Sequence, residues 1–148
     1  MLLGIPKILS PELLKILMEM GHGDELVIAD GNFPSSSIAQ STPTKILIRA
    51  DGHNVPELLD AILKFFPLDQ YVEKPAGLMA VVPGDTIKPT IWDTYREIVK
   101  KHQKDFKDFE MIERFAFYER AKKAYAVLAT GESALYANII LKKGVVKE

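Results

Sequence analysis

The chain has 148 residues, 47% hydrophobic and 26% charged, which suits one domain spanning 1–148 with enough apolar surface to bury a core. Its 19 basic and 20 acidic residues leave a formal net charge of −1, which argues against a general nucleic-acid partner, since phosphate binding needs clustered positive charge. With no cysteine there are no disulfides and no thiolate chemistry, and no apolar run approaches the roughly 20 residues of a membrane span, so a cytoplasmic protein without a membrane partner is expected.

Ser10 reads as an N-cap, followed by Pro11 at the first helical position and Glu12 in the first turn. Leu13, Ile16, Leu17 and Met20 then recur on one helix face, and Gly21 suits the left-handed residue that often closes a helix. The chain thus leaves the helix at His22, runs through the turn Gly21-His22-Gly23-Asp24, and enters the buried strand Leu26-Val27-Ile28-Ala29. Asp30 emerges where that strand ends, at the kind of edge where α/β sheets place ligands. A histidine and a carboxylate flanking one strand are expected to meet in one cleft.

Residues 31–37 read as a polar loop, and Lys45-Ile46-Leu47-Ile48-Arg49-Ala50 as a strand. Asn54 caps a helix expected to run to about Phe66, with Leu58, Leu59, Ile62, Phe65 and Phe66 as its buried stripe. Leu78-Met79-Ala80-Val81-Val82 is an apolar run of strand length, ended by Pro83-Gly84-Asp85. From Thr90 to about His102 the residues Trp92, Tyr95, Ile98, Val99 and His102 keep to one helical face. Residues 101–108 look like a solvated connection.

The run from Ile112 to Ala121 mixes aromatic and cationic side chains. Arg114 beside Phe115, Phe117 and Tyr118 suits the gripping of a neutral polyol, but it also suits an amphipathic helix with Phe117 and Tyr118 buried and Glu119 and Arg120 solvated. Tyr125-Ala126-Val127-Leu128-Ala129-Thr130 and Tyr136-Ala137-Asn138-Ile139-Ile140-Leu141 close the chain as strands. Helices alternating with strands imply an α/β layered fold with a largely parallel sheet flanked by helices.

No glycine pattern matches a dinucleotide or P-loop fingerprint, and there is no G-x-S-x-G elbow. His22, His53 and His102 are the only histidines and none pairs with another at ligand spacing, so no metal is expected. Imidazole, carboxylate and phenol remain, a set suited to proton transfer on a small polar molecule. Asp24 or Asp30 is the expected carboxylate partner that steers His22.

Several motifs in one order carry a more specific signal: Ser10-Pro11-Glu12-Leu13-Leu14-Lys15, Met20-Gly21-His22-Gly23-Asp24-Glu25, Asp30, Asn32-Phe33-Pro34, Arg49-Ala50-Asp51-Gly52, the run from Arg114 to Ala121, and Tyr136-Ala137-Asn138. Together they closely resemble the L-fucose mutarotase and D-ribose pyranase family, most of all its fucose branch. The resemblance implies that His22 is the catalytic proton donor and Tyr118 a further catalytic phenol. It makes Asp30, Arg114, Tyr136, Ala137 and Asn138 the substrate-binding set for a monosaccharide, L-fucose, with no cofactor. It also implies a homo-oligomer with sites near subunit interfaces. D-ribose pyranase activity, or sugar binding without catalysis, are the alternatives, and Arg114 favours fucose because the ribose branch usually carries another residue there.

Overall fold

Ser10 caps the first helix as its sequence signals: its hydroxyl accepts the Leu13 N–H at 3.1 Å, and α1 (Pro11–Glu19) buries Leu13, Ile16 and Leu17. The computed structural model describes residues 1–148. After α1 come β1 (Glu25–Ala29), α2 (Ser35–Ser41), β2 (Ile46–Ala50), α3 (Val55–Leu63), β3 (Ala76–Met79), α4 (Ile91–His102), β4 (Glu110–Ile112), α5 (Arg114–Ala121), β5 (Ala126–Thr130) and β6 (Ile139–Lys142). The strands form one sheet in the order β2-β5-β1-β6-β3-β4, parallel throughout except that β6 runs antiparallel to β1 and β3.

Alternation along the central strand divides the core into two layers. Leu26 and Ile28 pack with α1, α3 and α4, whereas Val27 and Ala29 pack with α2 and α5 around Phe33, Phe117 and Ala121. Each buried leucine or isoleucine contributes about 1.5–3 kcal/mol, so both faces of β1 anchor the same sheet. No helix is long and apolar enough to cross a membrane.

Several local readings are corrected. α1 ends with Met20 extended, and the left-handed residue of the following turn is Gly23 (φ 87°), not Gly21. Ser35, Ser36 and Ser37 open helix α2 rather than continuing a loop; Ile38 and Ala39 are its buried apolar side chains and no side chain caps it. α3 stops at Leu63, three residues short of Phe66, so Phe65 turns outward and is 41% exposed. β3 stops at Met79, leaving Val81 and Val82 outside the strand. The short edge strand β4 has no counterpart in the sequence reading, and β6 begins at Ile139 rather than Tyr136. Arg120 is not solvated: it bridges Glu25 of β1 at 2.5 Å and Glu110 of β4 at 3.2 Å, tying α5 to both strands.

Gly131, directly after β5, donates its N–H to the His53 carbonyl at 2.9 Å. A Cβ there would stand 1.9 Å from the Asp51 carbonyl oxygen, a backbone atom that has nowhere to move. Gly131→Ala is therefore expected to destabilise the fold by about 3 kcal/mol, measured as a lower urea midpoint; an unchanged midpoint would contradict this close approach.

Candidate active site

Where β1 ends and antiparallel β6 begins, side chains replace the backbone ladder. Ile28 pairs with Ile139, and the same register two residues on sets Asp30 opposite Ala137. The Asn138 side-chain oxygen accepts the Asp30 N–H at 2.7 Å, while the Asp30 carboxylate accepts the N–H of Ala137 at 3.3 Å and of Asn32 at 3.0 Å. Asp30 is only 5% exposed. Burial pushes its carboxyl above the usual range, against the lowering effect of these N–H donors, and nearby Glu132 adds to the rise.

A cleft of about 280 Å³ opens beside this carboxylate, lined by Asp30, Phe33, Arg114, Tyr118, Tyr136 and Asn138 among others. Its walls come from the chain following β1, the chain following β3, the start of α5 and the loop before β6. This is the carboxyl edge of the parallel strands, the expected ligand edge of an open α/β sheet. The Arg114 guanidinium lies 5.7 Å from the centre of the Tyr118 ring, and Phe33 packs against Tyr118 at 5.7 Å between ring centres. Asn138 has spent its oxygen on Asp30, so its amide N–H groups are left to donate.

Tyr136 sits in the left-handed region (φ 56°), which is why the expected strand cannot start there. Its hydroxyl donates to Asp85 at 2.6 Å; that bond pushes the phenol up and holds Asp85 below the usual carboxylate range. The Tyr118 hydroxyl makes no such ion-assisted bond, so it is the freer phenol. Asp85, Met79 and Val82 also line the cleft and escaped the sequence reading. Asp85 was signalled only by standing in a Pro-Gly-Asp turn after an apolar run, the same cue that marks Asp30. Ala137, grouped with the binding residues, is fully buried and serves the site through its backbone.

His22 lies elsewhere. It precedes β1 whereas Asp30 follows it, and the five residues of β1 at about 3.3 Å each set roughly 16 Å of strand between them. Within one subunit, therefore, His22 and Asp30 do not share a cleft. The steering carboxylate is Asp69, which meets the His22 Nε2 at 3.0 Å; Asp24 instead accepts the Gly21 N–H and closes its own turn. An ionised carboxylate only accepts, so Nε2 is the donor in this pair. Burial would push Asp69 up, but the Tyr71 N–H and the His22 ring together hold it below the usual range. The His22 side chain is 45% exposed, and its ring stands 5.4 Å from that of Tyr71, itself 70% exposed. No group of three histidine or acidic side chains gathers at metal-ligand distance.

Fold and cleft together define a small α/β protein with an open cleft at a sheet edge, where donors, acceptors and aromatic rings interleave. The chain belongs to the RbsD / FucU transport protein family, whose model matches residues 3–146. A fucose mutarotase of Danio rerio is 58% identical over 146 residues, covering 97% of this chain and 93% of that one. The crystal structure of FucU from Bifidobacterium longum superposes with a TM-score of 0.93 at 60% identity, covering 97% of this chain and 99% of the other. A fucose mutarotase from Streptococcus pneumoniae, solved in complex with L-fucose, gives 0.91 at 57% identity, with 99% and 100% covered.

The two buried carboxyls have opposite pH signatures. Asp69, held low, adds stability that is present above its ordinary value near 3.9 and is lost as pH falls through its folded value. Asp30, held high, binds its proton more tightly when folded; the stability this adds is present below about 3.9 and is lost as pH rises through its folded value. Carboxyl ¹³C titration is expected to place the Asp30 midpoint above about 3.9 and that of Asp69 below it; the reverse order would contradict the assigned environments.

Proposed function

We propose that this protein is an L-fucose mutarotase, an isomerase interconverting the α and β anomers of L-fucose. The observation that carries the reading is the Asp30 cleft, in a chain 57% identical over 99% of its length to a fucose mutarotase solved with L-fucose. Asp30, Arg114, Tyr136 and Asn138 hold the sugar hydroxyls, and the aromatic walls cover its apolar face.

Ring opening needs a base for the anomeric hydroxyl proton and an acid for the ring oxygen. As these two protons move, the C1–O5 bond breaks and C1 becomes an aldehyde. Rotation about C1–C2 presents the other carbonyl face, the protons return, and the ring closes on the opposite anomer. Only protons are exchanged. Tyr118 and His22 are the acid–base pair, each contributing on the order of 10²–10⁴ in rate.

Since His22 stands a strand's length from Asp30, we infer that it serves a neighbouring cleft in a cytoplasmic homo-oligomer. In support, the His22 side chain is half exposed, and Tyr71 beside it is exposed. Phe115 and Leu135, beside the cleft, are exposed too, at 65% and 46%. Apolar side chains left open next to both halves of a site suit a subunit contact.

Saturation-transfer NMR is expected to detect exchange between the L-fucose anomers that rises with protein concentration; exchange no faster than in buffer would reject the mutarotase. His22→Ala should keep the fold and lose roughly 10²-fold in exchange rate, and an unchanged rate would remove His22 from the chemistry. Co-expressing His22→Ala with Asp30→Asn should restore a fraction of the activity that either variant alone lacks, because some interfaces then join an intact His22 to an intact Asp30. No recovery in mixed oligomers would contradict catalysis across subunits.

A further inference from the structure

Helix α4 grips the cleft from beneath. Tyr95, fully buried, donates its hydroxyl to the Ala137 carbonyl at 2.7 Å, and Trp92, one turn earlier on the same face, donates its indole N–H to the Tyr136 carbonyl at 2.8 Å. Two successive carbonyls of the loop before β6 are therefore held by one helix. The other side of the same segment faces the site: the Ala137 N–H reaches Asp30 at 3.3 Å, and Tyr136 and Asn138 line the cleft. At that length the N–H bond is sensitive to small displacements. A left-handed Tyr136 is also a strained conformation that persists only where its surroundings impose it.

We propose that Tyr95, together with Trp92, is a positioning residue for the reaction: the pair holds the two amides on either side of Ala137, sets the Ala137 N–H against Asp30 and so fixes Tyr136 and Asn138 in the cleft wall. The Trp92 indole acts along a chain, N–H to the Tyr136 carbonyl and, through that same amide, the Ala137 N–H to carboxylate, in which each bond polarises the next. The Tyr95 hydroxyl holds the following amide by the Ala137 carbonyl and so fixes the direction of the Ala137 N–H. Burial, with Glu132 and Asp30 adding to it, pushes the Tyr95 phenol far above the ordinary range, so it stays neutral throughout. Exchanging it for phenylalanine removes a hydrogen bond and no charge. The charged and titratable groups around Asp30 are left as they were: Glu132 before β6, Arg114 and Tyr118 from α5, Tyr136, and Asp85 after β3. The rate readout rests on the mutarotase reading; the titration readout rests on geometry alone.

The test is Tyr95→Phe in the full-length protein, read by carboxyl ¹³C titration of Asp30 and by the pH profile of L-fucose anomer exchange. The expected result is a folded protein whose Asp30 midpoint moves up, because its anion loses part of an N–H donor. The acid limb of the profile moves with it, and kcat/KM falls about tenfold. Tyr125→Phe, which removes a phenol bonded only to Glu19 outside the cleft, is expected to leave both readouts unchanged. A folded Tyr95→Phe protein with an unmoved Asp30 midpoint and acid limb would overturn the proposal, since a residue that merely packs moves neither. Should that variant fail to fold, Trp92→Phe, at a half-buried position, must show the same upward shift, and its absence overturns the proposal equally. A parent protein that does not exchange fucose anomers would sink the mutarotase reading instead, and the Asp30 titration would still decide the role of Tyr95.

Discussion

A carboxylate kept out of water at the end of a central strand is the constraint on which the site depends. Asp30 cannot be buried without donors, and the donors it receives come from two peptides, Asn32 after β1 and Ala137 before β6. The second requires β6 to enter the sheet antiparallel, at a register that brings residue 137 level with residue 30. It also requires Tyr136 to take a conformation that no regular strand allows. Sheet topology, the loop before β6 and the raised proton affinity of Asp30 are thus one arrangement seen at three scales.

The elements with strong local signals were legible in the sequence. The caps at Ser10 and Asn54, the buried runs of β1 and β5, and the single stripe of α4 all follow from spacing that the chain carries within itself. Helix α2 was hidden because SSSIAQS is short, polar and uncapped, so only tertiary packing of Ile38 and Ala39 makes it a helix. β4 has three residues, too few to display a period. Asp30 was marked by the end of its buried strand and Arg114 with Tyr118 by their aromatic and cationic run, Tyr136 and Asn138 came from motif resemblance alone, and all five line one cleft. Asp69 gave no local cue as the partner of His22, since it lies 47 residues away in the chain.

The separation of His22 from the cleft changes what the fold must accomplish. For His22 to act on a sugar held at Asp30, each end of the strand has to face a different copy of the chain. In the assembly we propose, the histidine end of one subunit would complete the carboxylate end of another, which would make assembly a condition of catalysis. The tight turn of Gly21 to Asp24, closed by the Asp24 carboxylate and by Lys143 on the α1 carbonyls, keeps the imidazole at a fixed place on that outer edge.

A crystal structure of the assembled protein with L-fucose tests this account most directly. The sugar is predicted to lie in the Asp30 cleft, with its anomeric hydroxyl and ring oxygen within hydrogen-bonding distance of Tyr118 and of His22 of the partner subunit. A sugar bound outside that cleft, or a His22 turned to bulk solvent in every subunit, would contradict it.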